Sequence, residues 1–149
     1  MKLTNGFDAS ASALTAQRLR MDVISSNIAN AETNRGRLVD GKFEPYKRKM
    51  VVLESMQPKF SDVLDGAMNP GGASRGVRVT QIMEDRTPPK LVYNPSHPDA
   101  DENGYVKMPN VDVLKEMVDM ISASRSYEAN VTALNATKAM FIKALEIGK

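Results

Sequence analysis

Two long amphipathic segments, one at each end of the chain, constrain the fold more than any other feature. In the first, mostly apolar or small residues recur at alternating spacings of four and three, which is the repeat of a coiled-coil seam. They are Leu3, Phe7, Ser10, Leu14, Gln17, Met21, Ile24, Ile28 and Ala31. In the second, the same spacing links Val113, Met117, Met120, Ser124, Tyr127, Val131, Leu134, Lys138, Phe141 and Leu145. The spacing therefore predicts a helix at each end.

The boundaries of both helices can be read from the residues that flank them. Asn30, Asn34 and Gly36 are of the types that end helices, so the first helix is expected to stop near residue 31. The second segment has no Gly or Pro over residues 111–147, so a helix there would be roughly 55 Å long. Pro109 precedes it and Asn110 or Asp112 offers an N-cap. Periodicity alone also allows two helices of an ordinary bundle.

The middle of the chain has the character of short strands. "FEPYKRKMVVLES" (43–55) and "GVRVTQIMED" (76–85) are rich in β-branched residues, partly alternating, and bounded by Gly and Pro. "PPKLVYNPSHP" and "NGYVKMP" are predicted to be shorter extended pieces that their prolines confine to sheet edges. "SDVLDGAMNPGGAS" (61–74), rich in Gly and Ser, is predicted to be a linker.

The predicted fold class is therefore α+β. Long N- and C-terminal helices pair as a coiled-coil-like unit, and a small β-rich insert lies between them. The corresponding segments are an N-terminal assembly helix at 1–34, the insert at 35–109 and a C-terminal assembly helix at 110–149.

Composition excludes several classes of protein. With 149 residues, of which 42% are hydrophobic, the chain can bury a core of its own. It contains no cysteine, which excludes disulfides, thiol catalysis and cysteine-based zinc sites. A net charge of +2 gives no reason to expect a nucleic-acid partner. No apolar run approaches the roughly 20 residues that span a bilayer, so we expect no membrane insertion. The first residues lack the apolar stretch of a cleaved signal peptide, so we expect no classical secretion.

One stretch, "DADENGYVKMPN", is similar to a calcium-binding loop. Asp99, Asp101, Asn103 and Gly104 occupy the first, third, fifth and sixth positions of such a loop. The twelfth position, which requires a bidentate Glu, holds Asn110. We therefore predict an Asx-type turn that joins two extended pieces, and the alternative is a small calcium-regulated helical module that binds a partner helix.

Other polar residues give no sign of an active site. His97 is the only histidine, and neither a nucleophile motif nor a cluster of metal ligands accompanies it, so it is predicted to be a structural turn residue. The basic run "YKRK" (46–49) lacks interleaved aromatic residues and is predicted to be the solvated face of a strand, with an acidic partner as the alternative. We predict no enzymatic activity, no metal and no cofactor.

The residues of the terminal motifs resemble those of a known protein family. "SSNIANAET" (25–33), together with the segment from "PNVDVLKEM" to "IKALEIGK", resembles the paired terminal signatures of the bacterial flagellar axial proteins, which are rod and hook subunits. "KLVYNPSHPDADENGYVKMPNVD" resembles the proximal-rod members of that group in particular. The resemblance covers almost the whole chain and is weakest across residues 61–74. A different rod subunit is the alternative within the same family.

The resemblance implies a structural role in assembly. Subunits of the axial family pair their terminal helices with one another and with those of neighbours, so that a helical tube that transmits torque forms around an export channel. The implied partners are copies of this chain, neighbouring rod and basal-body proteins, and the flagellar type III export apparatus. The implied location is the basal body, which the chain would reach without a cleaved signal peptide. The residues predicted to form the interface are Leu14, Met21, Ile24, Asn27, Ile28, Asn30, Met117, Met120, Tyr127, Val131, Leu134, Phe141 and Leu145.

Overall fold

The structure, a computed structural model, describes residues 4–39, 41–56 and 76–147. In chain order its elements are α1 (Thr4–Ala29), β1 (Arg37–Val39), β2 (Lys42–Glu44), β3 (Lys49–Ser55), β4 (Val77–Glu84), β5 (Lys90–Tyr93), β6 (Tyr105–Met108) and α2 (Val113–Ile147). A long helix near each end with short strands between them confirms the predicted α+β class. Leu3 and the predicted linker at 61–74 lie outside the described residues.

Side-chain hydrogen bonds mark the start of α2 and the end of α1. Asp112 is the N-cap of α2, because its Oδ1 accepts hydrogen bonds from the backbone N–H groups of Leu114 and Lys115 at 3.1 and 3.4 Å. At the end of α1, the backbone and side-chain nitrogens of Asn30 both donate to the Ser26 carbonyl, at 3.1 and 2.8 Å. Within the described residues, no helix combines the length and the apolarity that crossing a membrane requires.

The described strands form three two-stranded sheets, which pair β1 with β2, β3 with β4 and β5 with β6. The prediction of one strand over residues 43–55 is correct at its two ends but wrong at 45–48, which belong to no strand. Pro45 is buried at the start of this interruption and has no backbone N–H to contribute to a sheet ladder. The strand prediction for 76–85 is confirmed by β4.

The β5–β6 pair confirms the two short extended pieces predicted for this region. The strands are antiparallel, and Tyr93 lies opposite Tyr105 with ring centroids 5.3 Å apart in an edge-to-face arrangement. Gly104 precedes β6 with a φ of 78°. A Cβ atom at Gly104 would lie 3.0 Å from Cε2 of Tyr93, so both the backbone conformation and the space favour glycine there.

Contacts divide the chain into two compact units, each built from separate stretches of sequence. The first unit comprises residues 1–19, 52–81 and 122–149. Among its described residues, Ala16 of α1 and Ala123 of α2 are buried. Ser12 connects α1 to β4, because its Oγ accepts the backbone N–H of Val77 at 3.1 Å.

The second unit comprises residues 20–51 and 82–121. Its buried apolar side chains include Val23 and Ile24 of α1, Val106 of β6 and Val111 before α2. The two units differ from the predicted segments 1–34, 35–109 and 110–149, because α1 and α2 each contribute residues to both. The second half of α1 therefore buries Val23 and Ile24 within its own chain.

Candidate functional site

The second unit contains a buried polar cluster, which we define as Asn27, Tyr46, Arg48 and Glu116. Asn27, on the last turn of α1, is only 1% exposed. Its Oδ1 accepts hydrogen bonds from the backbone N–H of Lys49 at 2.9 Å and from the Tyr46 hydroxyl at 3.0 Å. Its Nδ2 donates to the Lys49 carbonyl at 2.9 Å and to Oε2 of Glu116 at 3.0 Å. The Asn27 amide thus makes all four of the hydrogen bonds available to it.

Glu116 supplies the negative charge in the cluster. It lies in the first turn of α2 and is 0% exposed. Its Oε1 accepts from Nε of Arg48 at 2.7 Å and lies 2.7 Å from Nη2, so the guanidinium binds this oxygen with two nitrogens. Its Oε2 is bound by Asn27. A carboxylate is stable in this setting because both oxygens are hydrogen-bonded and a partly buried guanidinium balances the charge.

Weaker ionic contacts surround Arg48. Asp85 lies 3.7 Å from its Nη1, and Asp119 lies 3.8 Å from its Nη2. Hydrogen bonds that the side chain and backbone of Thr87 donate, with a smaller contribution from Arg48, lower the pKa of Asp85. Arg20 of α1 also approaches Asp119, at 3.7 Å. Arg48 is therefore the cation at the centre of a set of carboxylates that come from different parts of the chain.

The geometry of the cluster suits a mechanical role. Asn27 attaches α1 to the first residue of β3, and it also contacts the first turn of α2. A fully hydrogen-bonded buried polar group fixes the register of the elements that it joins, because any shift would leave its partners unsatisfied. Among the described residues, no group of three His, Cys, Asp or Glu side chains could hold a metal ion.

The predicted interface residues fall into three classes of exposure. Ile24 and Asn27 are buried within the chain. Met117 and Leu145 are exposed on α2. The others are partly exposed: Leu14, Met21, Ile28, Asn30, Met120, Tyr127, Val131, Leu134 and Phe141.

The prediction for the basic run "YKRK" (46–49) is wrong for two of its four residues. A solvated strand face is the wrong description of Tyr46 and Arg48, whose side chains bind Asn27 and Glu116. Only Lys47 and Lys49 are exposed. The error has a physical reason, since the carboxylate that Arg48 binds lies 68 residues away in sequence and no local pattern connects the two.

The segment that is similar to a calcium loop forms a series of turns between β5 and β6. Backbone hydrogen bonds join His97 to Asn94 and Gly104 to Asp101, at 3.2 and 2.8 Å. Nδ1 of His97 accepts the backbone N–H of Asp99 at 3.1 Å, which agrees with a structural turn histidine. The carboxylate of Asp99, the first position of the loop, is bound by Arg35 through Nε and Nη2 at 2.6 to 3.1 Å.

The ion pair between Arg35 and Asp99 gives a prediction about pH. The hydrogen bond and the charge of Arg35 hold the pKa of Asp99 below its usual value. An unfolded aspartate has a pKa of about 3.9, so the pair stabilises the fold above that pH, and the contribution is lost as pH falls through the lower folded pKa. We expect Asp99→Asn to reduce the melting temperature at pH 7, and the difference from the parent protein to shrink between about pH 5 and pH 2.

Two controls accompany this measurement. Arg35→Gln should reproduce the effect of Asp99→Asn, and the double variant should lose little more than either single variant. Arg125→Gln, which removes an exposed pair between residues three apart on α2, should change the melting temperature much less. A loss in Asp99→Asn that is the same at every pH would show that the ion pair is not its cause.

Two segments of the chain match models of known protein families. The model described as "Flagella basal body rod protein" matches residues 7–35, which include most of α1. The model described as "Flagellar basal body rod FlgEFG protein C-terminal" matches residues 102–147, which include β6 and α2. The two matched regions contain Asn27 and Glu116, respectively.

Curated relatives match over the whole chain. The flagellar basal-body rod protein FlgC of Bacillus subtilis is 57% identical over 150 residues, with all of both chains covered. The FlgC protein of Salmonella typhimurium is 48% identical over 149 residues, again with full coverage. That of Borreliella burgdorferi is 46% identical over 158 residues, with 99% of this chain and 98% of the relative covered.

Proposed function

This chain belongs to the FlgC family of flagellar basal-body rod proteins, structural subunits of the rod, and from that premise we propose that α1 and α2 make its contacts with neighbouring subunits. The observation that carries the proposal is the incomplete burial of the helical seam. Nine of the predicted interface residues are only partly covered by their own chain, and two more are exposed. Contacts with neighbours would remove this apolar surface from water.

Repeated contacts between different surfaces of identical subunits produce an open helical assembly. In the proposed arrangement, the helices of many subunits form the wall of a tube that transmits torque. The buried polar cluster would resist slippage of α1, β3 and α2 under load, because each is bound to the same Asn27 amide or to the carboxylate beside it. Ile24 and Asn27 would therefore support the interface from inside the subunit.

The proposal extends to the route by which the chain reaches the basal body. The relatives that match the whole chain are flagellar basal-body rod proteins. We propose export by the flagellar type III apparatus without removal of a signal peptide. The absence of cysteine suits this route, since the chain would pass from a reducing to an oxidising compartment without forming incorrect disulfides.

The helical contacts can be tested with Ile28→Asp and Leu134→Asp. Both side chains are partly buried, and a charge held in an apolar contact costs several kcal/mol unless it is paired or reaches water. We expect each variant to be exported but absent from purified basal bodies, with motility lost. Thr132→Asp, at an exposed position of α2, is the matched control and should assemble normally.

Two outcomes would contradict the proposal. Normal motility together with recovery of either variant in intact basal bodies would exclude these residues from the assembly contacts. Insoluble or degraded protein in the cytosol would instead indicate that the seam serves only to fold the subunit.

A further inference from the structure

The ring of His97 lies between two nitrogen donors. Its Nδ1 accepts the backbone N–H of Asp99 at 3.1 Å. Its Nε2 lies 3.5 Å from Nδ2 of Asn34, a residue in the segment that follows α1. A neutral imidazole has one nitrogen that accepts and one that carries a proton, so it can accept only one of these two hydrogen bonds. One of the two neighbours must therefore present an acceptor to the ring.

The Asn34 amide is the neighbour that can present an acceptor. The N–H of Asp99 belongs to the backbone and cannot exchange places with an oxygen. A half-turn of the Asn34 amide, by contrast, exchanges its nitrogen and its oxygen. Oδ1 of Asn34 is buried and has no hydrogen-bond partner among the described residues. These contacts assign the proton of neutral His97 to Nε2, with Oδ1 of Asn34 as its acceptor.

The backbone of the turn holds the ring in this position. The N–H of His97 donates to the Asn94 carbonyl at 3.2 Å. The carbonyl of His97 accepts the N–H of Ala100 at 3.0 Å. The side chain is nevertheless 31% exposed, so protons from solvent can reach Nδ1.

An ionised carboxylate lies beside Nδ1. Oδ2 of Asp99 is 3.9 Å away, and within the described part of the chain no other carboxylate comes within 4 Å of either ring nitrogen. Arg35 binds the same carboxylate from the segment after α1, through Nε and Nη2 at 2.6 to 3.1 Å. The hydrogen bond and the charge of Arg35 lower the pKa of Asp99, so the carboxylate stays ionised in mild acid. A proton on Nδ1 would therefore face a negative charge.

We propose that His97 is a proton-operated switch in the turn between β5 and β6. In the neutral form, Nδ1 accepts the backbone N–H of Asp99. When Nδ1 takes a proton from solvent it has no lone pair left to accept with, and it donates to Oδ2 of the Asp99 carboxylate instead. The hydrogen bond from Nε2–H to Asn34 is kept in both forms. Histidine is the side chain that ordinarily changes charge between about pH 5 and 8, so mild acid operates the switch.

The switch acts on a carboxylate that two parts of the second unit share. On protonation of His97, the Asp99 carboxylate gains a second cation beside Arg35. The guanidinium of Arg35 also lies over the ring of Phe43 in β2, at 5.2 Å from the ring centroid. The charge of His97 is thus linked through Asp99 and Arg35 to the β1–β2 pair.

Nuclear magnetic resonance of the untagged, ¹⁵N-labelled full-length chain tests the proposal. His97 is the only histidine, so both imidazole nitrogen signals belong to it. At pH 8 we expect Nδ1 to be unprotonated and Nε2 to carry the proton, and at pH 5 we expect both to be protonated. A proton on Nδ1 at pH 8, or a mixture of the two tautomers, would overturn the proposal.

Amide hydrogen exchange measures the loss of the acceptor. The protection factor of the Asp99 N–H, which corrects for the intrinsic effect of pH on exchange, should fall about fivefold or more between pH 8 and pH 5. The N–H of Ala100 is the internal control, because it donates to a backbone carbonyl that does not titrate, and it should keep its protection. Unchanged protection of Asp99 when both ring nitrogens are protonated would show that no switch exists.

His97→Asn is the matched variant. An asparagine before Pro98 can accept the N–H two residues further on in an Asx turn, and it cannot take a proton. We expect the protection of the Asp99 N–H to be the same at pH 8 and pH 5 in this variant. A fall as large as in the parent chain would assign the effect to another group and overturn the proposal. If the variant does not fold, the two measurements on the parent chain decide.

Discussion

Replacement of Asn27 by leucine is expected to lower the free energy of unfolding by about 3 to 5 kcal/mol. Leucine makes none of the four hydrogen bonds of the Asn27 amide. It would leave the backbone N–H and carbonyl of Lys49 and one oxygen of Glu116 without their partner in a buried setting. Urea denaturation followed by circular dichroism at pH 7 measures the change.

Asn30→Leu is the matched control for this prediction. The Asn30 side chain makes only local contacts, with the carbonyl of Ser26 at 2.8 Å and the hydroxyl of Thr33 at 3.3 Å. Its replacement should cost about 1 kcal/mol or less. If the two variants were equally stable, the hydrogen bonds of Asn27 would not be what holds the second unit together.

Asn27→Asp is a stricter test of the hydrogen bonds, because the new side chain has the same shape as that of Asn27. It keeps an acceptor for the Lys49 N–H but loses both donors, and it places a second carboxylate beside Glu116. We expect this variant to be at least as unstable as Asn27→Leu at pH 7. Its stability relative to the parent protein should improve as pH falls, because protonation of one carboxylate removes the repulsion and restores a donor. No dependence on pH would contradict the observed arrangement.

Replacement of Arg48 by methionine is the second change with a large expected effect. It would leave the carboxylate of Glu116 buried with only the Asn27 amide as a partner. Breaking a buried ion pair from one side costs about 3 to 5 kcal/mol, mostly because the remaining charge has no counterion. Urea denaturation at pH 7 should show this loss. Lys47→Met, which removes an exposed pair with Glu44, is the control and should stay within about 0.5 kcal/mol of the parent protein.

A double variant separates the loss of a charge partner from a loss of packing. Glu116→Gln, combined with Arg48→Met, removes both charges and retains an oxygen that can accept from Asn27. We expect the double variant to recover much of the stability that Arg48→Met alone loses, because removing both members of a buried pair costs less than removing one. If the double variant were no more stable than Arg48→Met, the aliphatic part of the Arg48 side chain would be the source of the loss.

Much of the fold could be predicted from local patterns in the sequence. The alternation of fours and threes predicts both helices, and the structure selects Asp112 from the two predicted N-cap candidates, Asn110 and Asp112. The turn residues around Gly104 and the neighbouring prolines predict two short extended pieces, which pair as β5 and β6. The motifs "SSNIANAET" and "HPDADENGYV" indicated the axial family, which the relatives confirm.

Only the tertiary structure decided what the polar residues do. Asn27 lies 22 residues from Lys49 and 89 from Glu116 in sequence, and Arg48 lies 68 residues from Glu116. Periodicity and turn chemistry report on the conformation of neighbouring residues, whereas burial of a charge depends on which distant segments meet. For the same reason, the residues of "YKRK" alone predict a solvated surface, although Arg48 neutralises a buried carboxylate. The sequence by itself determined the helices and the family, and the packing of distant segments determined which residues hold the subunit together.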